Sequence, residues 1–383
     1  MRWDVFCKIV DNFGDVGICW RLSQQLANEH HLPIRLLIDD FATAKKIIPQ
    51  LNMNEQTQII NGVEISTWPT PDAHLYIAPA KVVIETFACG LPDEYLLQMV
   101  RNQSIWINVD HLSAEPWVGD YHAKPSPQPA RAITKHYFFP GFKEDTGGLI
   151  REQNLRLTRD AFNSSKVLQS AFWQKIGLSE HVDSIEKSIK ISLFCYPQAE
   201  INGLLTALEN LNQPVSLFIP FNSTMAIFND TFAIINHLNV RVYNLPFLTQ
   251  SDFDQLLWAC DLNFVRGEDS WIRAIWAGNP FIWQPYVQAE DAHITKLNAF
   301  LALFYADCSQ ETKQIIHEAH SAWISSHVSK HLTDNKTSQI WQNYFDHLFT
   351  LKILTSRQSE ELMQQPDLAS KLVIFLQKLS VKV

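Results

Sequence analysis

Strand-like and helix-like segments alternate along this chain, and the alternation runs through twice; no other feature limits its folds so strongly. In the first cycle, WDVFCKIV (3–10) reads as a buried strand, and Ile18, Cys19, Leu22 and Leu26 then recur at helical spacing. Further strands are expected at 34–39, 62–67, 74–78, 81–86 and 104–112, with a short helix near 41–50. A helical region at 160–187 leads into the second cycle. It has strands at 188–196, 214–220, 240–247, 261–265 and 281–286, and helices at 198–211 and 251–260. A helix from Ser270 to Ala277 is stopped by Gly278 and Pro280. Such alternation implies βαβ units and a mostly parallel sheet in each half. From about 288 the chain reads as mostly helical, while 115–132 and 138–148 read as irregular loops.

A length of 383 residues suits two domains. They are placed at 1–182 and 183–364, with an amphipathic C-terminal helix, 365–383, returning to the first. Each is a doubly wound α/β domain with its ligands at the carboxyl ends of the strands. Two such domains facing one another would frame a central cleft.

The net charge of −9 argues against broad binding to nucleic acid or to anionic membranes. Cys7, Cys19, Cys89, Cys195, Cys260 and Cys308 are scattered, mostly in apolar runs, with no C-x-x-C pair. They read as buried reduced thiols, which fits the cytoplasm. The N-terminus is interrupted by Asp4 and Lys8, so no signal peptide is expected. No apolar run is long enough for a membrane span.

In VRGEDSWIRAIWAGNP a strand ends and a helix begins, with Ser270 or Asp269 as the expected N-cap. Free N–H groups at that helix start suit an anion. Arg266 adds a cation whose fork matches phosphate oxygens, and Glu268 could accept bonds from ribose hydroxyls. A capped helix with a local Arg266–acid pair accounts for the same residues equally well. Two aromatic-bearing strand ends favour a nucleotide diphosphate: Tyr196 in LFCYPQAE, and Phe247 with Phe253 in YNLPFLTQSDF. Asp252 and Asp254 form a D-x-D, read as part of a Ser251-x-x-Asp254 cap and not as a metal site; no metal is expected.

The first loop, DNFGDVGICWRL (11–22), has only G-x-x-G, so NAD or FAD is not expected there. Its two glycines enclose an acid, Asp15. A desolvated carboxylate a few Å from a pyrophosphate is repelled by several kcal/mol, in rough terms. Asp11 and Asp15 therefore suit a cation or a proton donor. A helix-capping role for Asp15 is the alternative, and the two are compatible.

Four blocks together resemble the EarP family of elongation factor P arginine rhamnosyltransferases: DNFGDVGICWRLSQQL, LSAEPWV, FFPGF with TGGLIRE, and NFVRGEDSWIRAIWAGNPFIWQPY. They lie within the first 290 residues. The resemblance implies a GT-B fold and transfer of L-rhamnose, with inversion, from TDP-β-L-rhamnose to an arginine of elongation factor P (EF-P), which then helps ribosomes stalled at polyproline. By position it makes Asp11 and Asp15 the catalytic acids, Asp15 being the general base, with Asn12, Phe13, Gly14 and Gly17 in the acceptor loop. Arg266, Glu268, Asp269 and Ser270 match its nucleotide block, and Tyr196, Phe247 and Phe253 its aromatics. His111 stands where the family more often has Tyr. Two other classes stay open on the residues: another GT-B sugar-nucleotide enzyme, such as an epimerase, and a non-catalytic sugar-nucleotide sensor.

Overall fold

The computed structural model describes residues 2–11, 13–68, 78–221, 239–324 and 334–380. The chain divides into two units: Met1–Gln153 with Met363–Val383, and Asn154–Leu362.

In the first unit six strands run parallel: Trp3–Cys7 (β1), Ile34–Ile38 (β2), Val63–Thr67 (β4), Val82–Thr86 (β5), Ile105–Val109 (β6) and Ile133–Phe138 (β8). Antiparallel edge strands Thr57–Ile60 (β3) and Pro125–Gln128 (β7) complete the order β3-β4-β2-β1-β5-β6-β8-β7. Counting parallel strands alone, this is the doubly wound order 3-2-1-4-5-6, which reverses between β1 and β5. Strands β1, β2 and β5 are buried along their whole length, as a sheet covered on both faces requires.

Two details differ from the expectation. Asn61 and Gly62, both at positive φ, turn β3 back onto β4, so an antiparallel hairpin lies at this edge of the parallel sheet. The proline-rich stretch is not simply irregular: it holds the helical turn Trp117–Tyr121 and then β7. Pro125 and Pro127 are tolerated because an edge strand needs no N–H on its open side. Of the strand expected at 74–78, residues 74–77 lie outside the described residues.

The second unit has a five-stranded parallel sheet of Ile189–Leu193 (β9), Val215–Ile219 (β10), Val240–Asn244 (β11), Leu262–Arg266 (β12) and Phe281–Gln284 (β13). Its order is β11-β10-β9-β12-β13, again 3-2-1-4-5, with the reversal between β9 and β12.

The border falls at 153/154, not at 182/183. The reason is packing. Phe162 lies edge-on to Phe172 and Trp258, and Trp173 stacks on Phe218 of β10 at 4.6 Å. Buried Arg159 donates to the Trp276 carbonyl at 2.9 Å and pairs with Glu360 at 2.5 Å. Residues 154–182 thus belong to the second core. At the C-terminus, the helix Leu368–Ser380 lies with the first unit: Gln25 donates to Asp367 at 2.9 Å and Leu368 N–H to the Leu149 carbonyl at 2.9 Å.

Candidate functional site

In the first unit, Asp11 and Asp15 follow β1 at the point where the sheet order reverses. The helix α1 (Gly14–Asn28) begins before Asp15, with Phe13 at its N-cap making no side-chain cap bond. Asp15 therefore does not cap it, as one reading had it. Its Oδ2 instead accepts the backbone N–H groups of Val10 (2.7 Å) and Asp11 (2.8 Å), folding the loop around the carboxylate. Gly14 donates to the Asp11 carbonyl at 2.8 Å, and a Cβ on it would lie 3.2 Å from the Asp11 carboxylate, a tight contact. Gly17 N–H starts the helical ladder on the Phe13 carbonyl. Asn12 lies outside the described residues.

Asp15 is 8% exposed, and burial raises its pKa above the ordinary carboxylate value. The two backbone N–H bonds pull it back down, the like charge of Asp11 pushes it up, and His111 pulls it down. His111 follows β6 and stacks on Phe87 at 4.5 Å. Phe87 and Ala88, just after β5, both adopt left-handed φ (54° and 50°), with Ala88 N–H held by the Asn108 side chain at 2.8 Å. Non-glycine residues held in that region mark a backbone fixed by its surroundings. On the β2 side a cavity of about 230 Å³ is lined by Lys8, Asp39, Trp68, Cys89 and the Gly90–Pro92 turn.

In the second unit, Arg266 ends β12 at the other reversal point. It is buried, with its guanidinium carbon 4.6 Å from the Phe194 ring centre and 4.4 Å from that of Tyr196. Phe253 meets Phe194 edge-on at 5.5 Å, so two of the three expected aromatics join the arginine. Phe247 follows β11, an edge strand separated from β9 by β10, and is half-buried. Stacking of this kind suits a guanidinium, whose weakly hydrated plane fits an aromatic face.

The next helix spans Asp269–Ala277, and Glu268 occupies its N-cap without a side-chain cap bond. Neither Ser270 nor Asp269 is the cap. Ser270 Oγ instead accepts the Arg266 N–H at 3.1 Å and donates to the Arg266 carbonyl, which fixes the arginine backbone. Asp269 accepts from the Gln250 side chain at 3.4 Å, and Glu268 pairs with Lys296 at 3.0 Å. Gly267 takes φ 61°, and its carbonyl is held by the Trp283 indole at 2.7 Å.

Both acids of the D-x-D have partners within the fold, and the cap is shifted from the expected register. The helix Gln250–Ala259 is capped by Thr249, whose hydroxyl accepts the Asp252 N–H at 3.2 Å and donates to its carboxylate at 2.7 Å. Asp254 instead makes a buried two-bond pair with Arg273, at 2.9 and 2.6 Å. Among the described residues no three His, Cys, Asp or Glu gather as metal ligands.

Residues that sequence reasoning passed over are Phe194, Gln284, Lys296 and Phe87. Gln284 accepts the Tyr196 N–H at 2.8 Å. A polar residue closing the apolar strand FIWQ was a visible signal for it; Lys296, inside an ordinary helix, gave none.

Two Rossmann-like units in one chain are the architecture of the GT-B glycosyltransferases, and this chain has that fold. Acinetobacter baumannii MurG matches it with a TM-score of 0.53 over 98% of this chain and 99% of that one; at 14% identity the likeness shows fold alone. The sequence narrows the class further. Residues 3–377 match the family described as Elongation-Factor P (EF-P) rhamnosyltransferase EarP, and the chain belongs to that family of glycosyltransferases. A protein-arginine rhamnosyltransferase of Pseudomonas putida is 39% identical, over 97% of this chain and 98% of the relative. A structure solved in a study of EarP-mediated arginine glycosylation of translation elongation factor EF-P has a TM-score of 0.64 at 28% identity, covering 98% and 99%.

Proposed function

We propose that this glycosyltransferase moves L-rhamnose from TDP-β-L-rhamnose to an arginine side chain of translation elongation factor P, with inversion at the anomeric carbon. The observation that carries this reading is a contrast between the two switch points. The second unit places a buried cation, Arg266, at its reversal, and the first places a buried acid, Asp15. An anionic donor suits one and a cationic acceptor the other.

A guanidinium is a weak nucleophile, since its lone pairs are delocalised and its pKa exceeds about 12. A carboxylate can hold it by charge-assisted bonds and take a proton as the new bond forms. In this reading one guanidinium nitrogen attacks the anomeric carbon, and the C–O bond to the β-phosphate breaks. TDP leaves with that electron pair, and the nitrogen's surplus proton passes to Asp15. Asp11 orients the arginine or holds the loop. Arg266 and the N–H groups of Asp269 and Ser270 meet the charge growing on the leaving phosphate, as oxyanion donors do.

No step in this scheme calls for a metal or another cofactor. No helix among the described residues is long and apolar enough to cross a membrane. A cytoplasmic enzyme acting on a translation factor, and so supporting ribosomes stalled at polyproline, is consistent with these features.

Incubating the protein with elongation factor P and TDP-rhamnose, and reading intact mass, tests the proposal. One added deoxyhexose on the acceptor, located at an arginine by peptide sequencing, is expected. An unmodified acceptor, or sugar on another residue type, overturns it.

A further inference from the structure

We propose that Lys296 is a positioning residue of the donor site, one that neutralises Glu268 and aims its carboxylate at a sugar hydroxyl of the bound nucleoside diphosphate. This rests on the donor reading given above.

The ammonium of Lys296 lies 3.0 Å from Glu268 Oε1, and the two side chains are only 14% and 18% exposed. A pair so withdrawn from water is less screened than a surface pair. Its geometry is set by the core. Lys296 and Phe300 are one turn apart on the helix Ala292–Phe304, so they share a face. Phe300 packs edge-on against Trp271 (4.8 Å) and Trp283 (5.7 Å), which stack on each other at 3.6 Å. The indole of Trp283 also holds the Gly267 carbonyl, next to Glu268. One aromatic cluster thus positions both the lysine and the loop it reaches.

Charge explains the need. Glu268 and Asp269 are adjacent acids at the loop where a diphosphate is expected. Unbalanced, Glu268 would repel the donor it is meant to bind. Paired with Lys296 it is neutralised, and a carboxylate has acceptor capacity for an ammonium and a hydroxyl together.

Calorimetry on the full chain compares TDP with its 3′-deoxy analogue. In the parent, TDP is expected to bind about tenfold more tightly, the net worth of one hydrogen bond. In Lys296→Met that preference should collapse to within roughly threefold, and Lys296→Arg should restore it. Lys296→Gln serves if the Met variant does not fold. Equal weakening of both nucleotides would mean a direct phosphate contact or a general structural role, and would overturn the proposal. An unchanged preference overturns it too. If the parent binds TDP without any preference, the hydroxyl contact and this proposal fall while the donor reading stands. If the parent does not bind TDP, the donor reading itself has failed.

Discussion

The carboxylate of Asp15 accepts the backbone N–H of Asp11 at 2.8 Å, so the second acid of the loop fixes the position of the first. The same oxygen, Oδ2, takes the Val10 N–H at 2.7 Å. One oxygen of Asp15 is therefore committed to loop structure, and proton transfer in the proposed reaction falls to the other. An asparagine can keep its carbonyl oxygen on both N–H groups while losing the charge. Asp15→Asn is expected to retain TDP-rhamnose affinity and lose turnover by about 10²-fold or more, the usual worth of a general base. Its melting temperature at neutral pH should be no lower than the parent's. The sign follows from linkage: the folded pKa of Asp15 is raised, so its ionisation costs stability once the pH passes from 3.8 through the folded value. Asp15→Ala, which abandons both N–H groups, should melt lower, by about 1–3 kcal/mol of stability. Full turnover in Asp15→Asn would remove it as the base.

The pH profile offers a separate check. If ionised Asp15 is required, the acid limb of kcat/KM, which reports the free enzyme, lies above 3.8, because burial raises its pKa and the neighbouring Asp11 raises it further. Asp11→Asn removes the like charge while leaving the backbone N–H in place. The limb should then move to lower pH, whatever happens to the plateau. Replacing His111 by Phe removes the group that favours the ionised form, so the limb should move to higher pH. A limb that stays fixed in both variants would mean that another group titrates.

How much of this was legible beforehand depended on where the signal lay. Periodicity exposed the parallel strands, because strands buried on both faces read as apolar runs. The hairpin β3–β4 was missed although Asn61-Gly62 is a strong turn signal, since Thr57–Ile60 is short and its Ile59 is exposed. Edge strand β7 was hidden by Pro125 and Pro127. At the site, loop chemistry pointed to Arg266 and Asp15, but cap assignments failed by one or two residues. A cap depends on where the first helical bond closes, and local composition does not decide between Thr249 and Ser251 or between Glu268 and Ser270. Lys296 is 28 residues from Glu268 in sequence, so only the folded core could bring them together.

Arg266 should not tolerate its nearest chemical relative. Its guanidinium carbon lies over the rings of Phe194 and Tyr196, 4.6 and 4.4 Å from their centres, a contact that suits a weakly hydrated guanidinium better than a compact ammonium. Arg266→Lys keeps the charge but is expected to weaken TDP binding about tenfold, comparable with Arg266→Met, since stacking and forked donors go together. Calorimetry with TDP reads this directly. Near-parental affinity in Arg266→Lys would reduce the role of Arg266 to charge alone.

The D-x-D pair separates a structural reading from a metal-binding one. Asp254 is joined to Arg273 by bonds of 2.9 and 2.6 Å, and both residues are buried. Removing one partner of such a pair leaves a buried charge uncompensated, at a cost of about 3–5 kcal/mol. Asp254→Ala should therefore lower the melting temperature sharply, whereas Asp252, which only closes the Thr249 cap and meets Lys175 at 2.5 Å, should cost about 1 kcal/mol when changed to Ala. Rhamnosyl transfer by the parent should persist in excess EDTA. Activity lost on chelation and restored by a divalent ion, with the Asp254→Ala fold intact, would assign the pair to a metal instead.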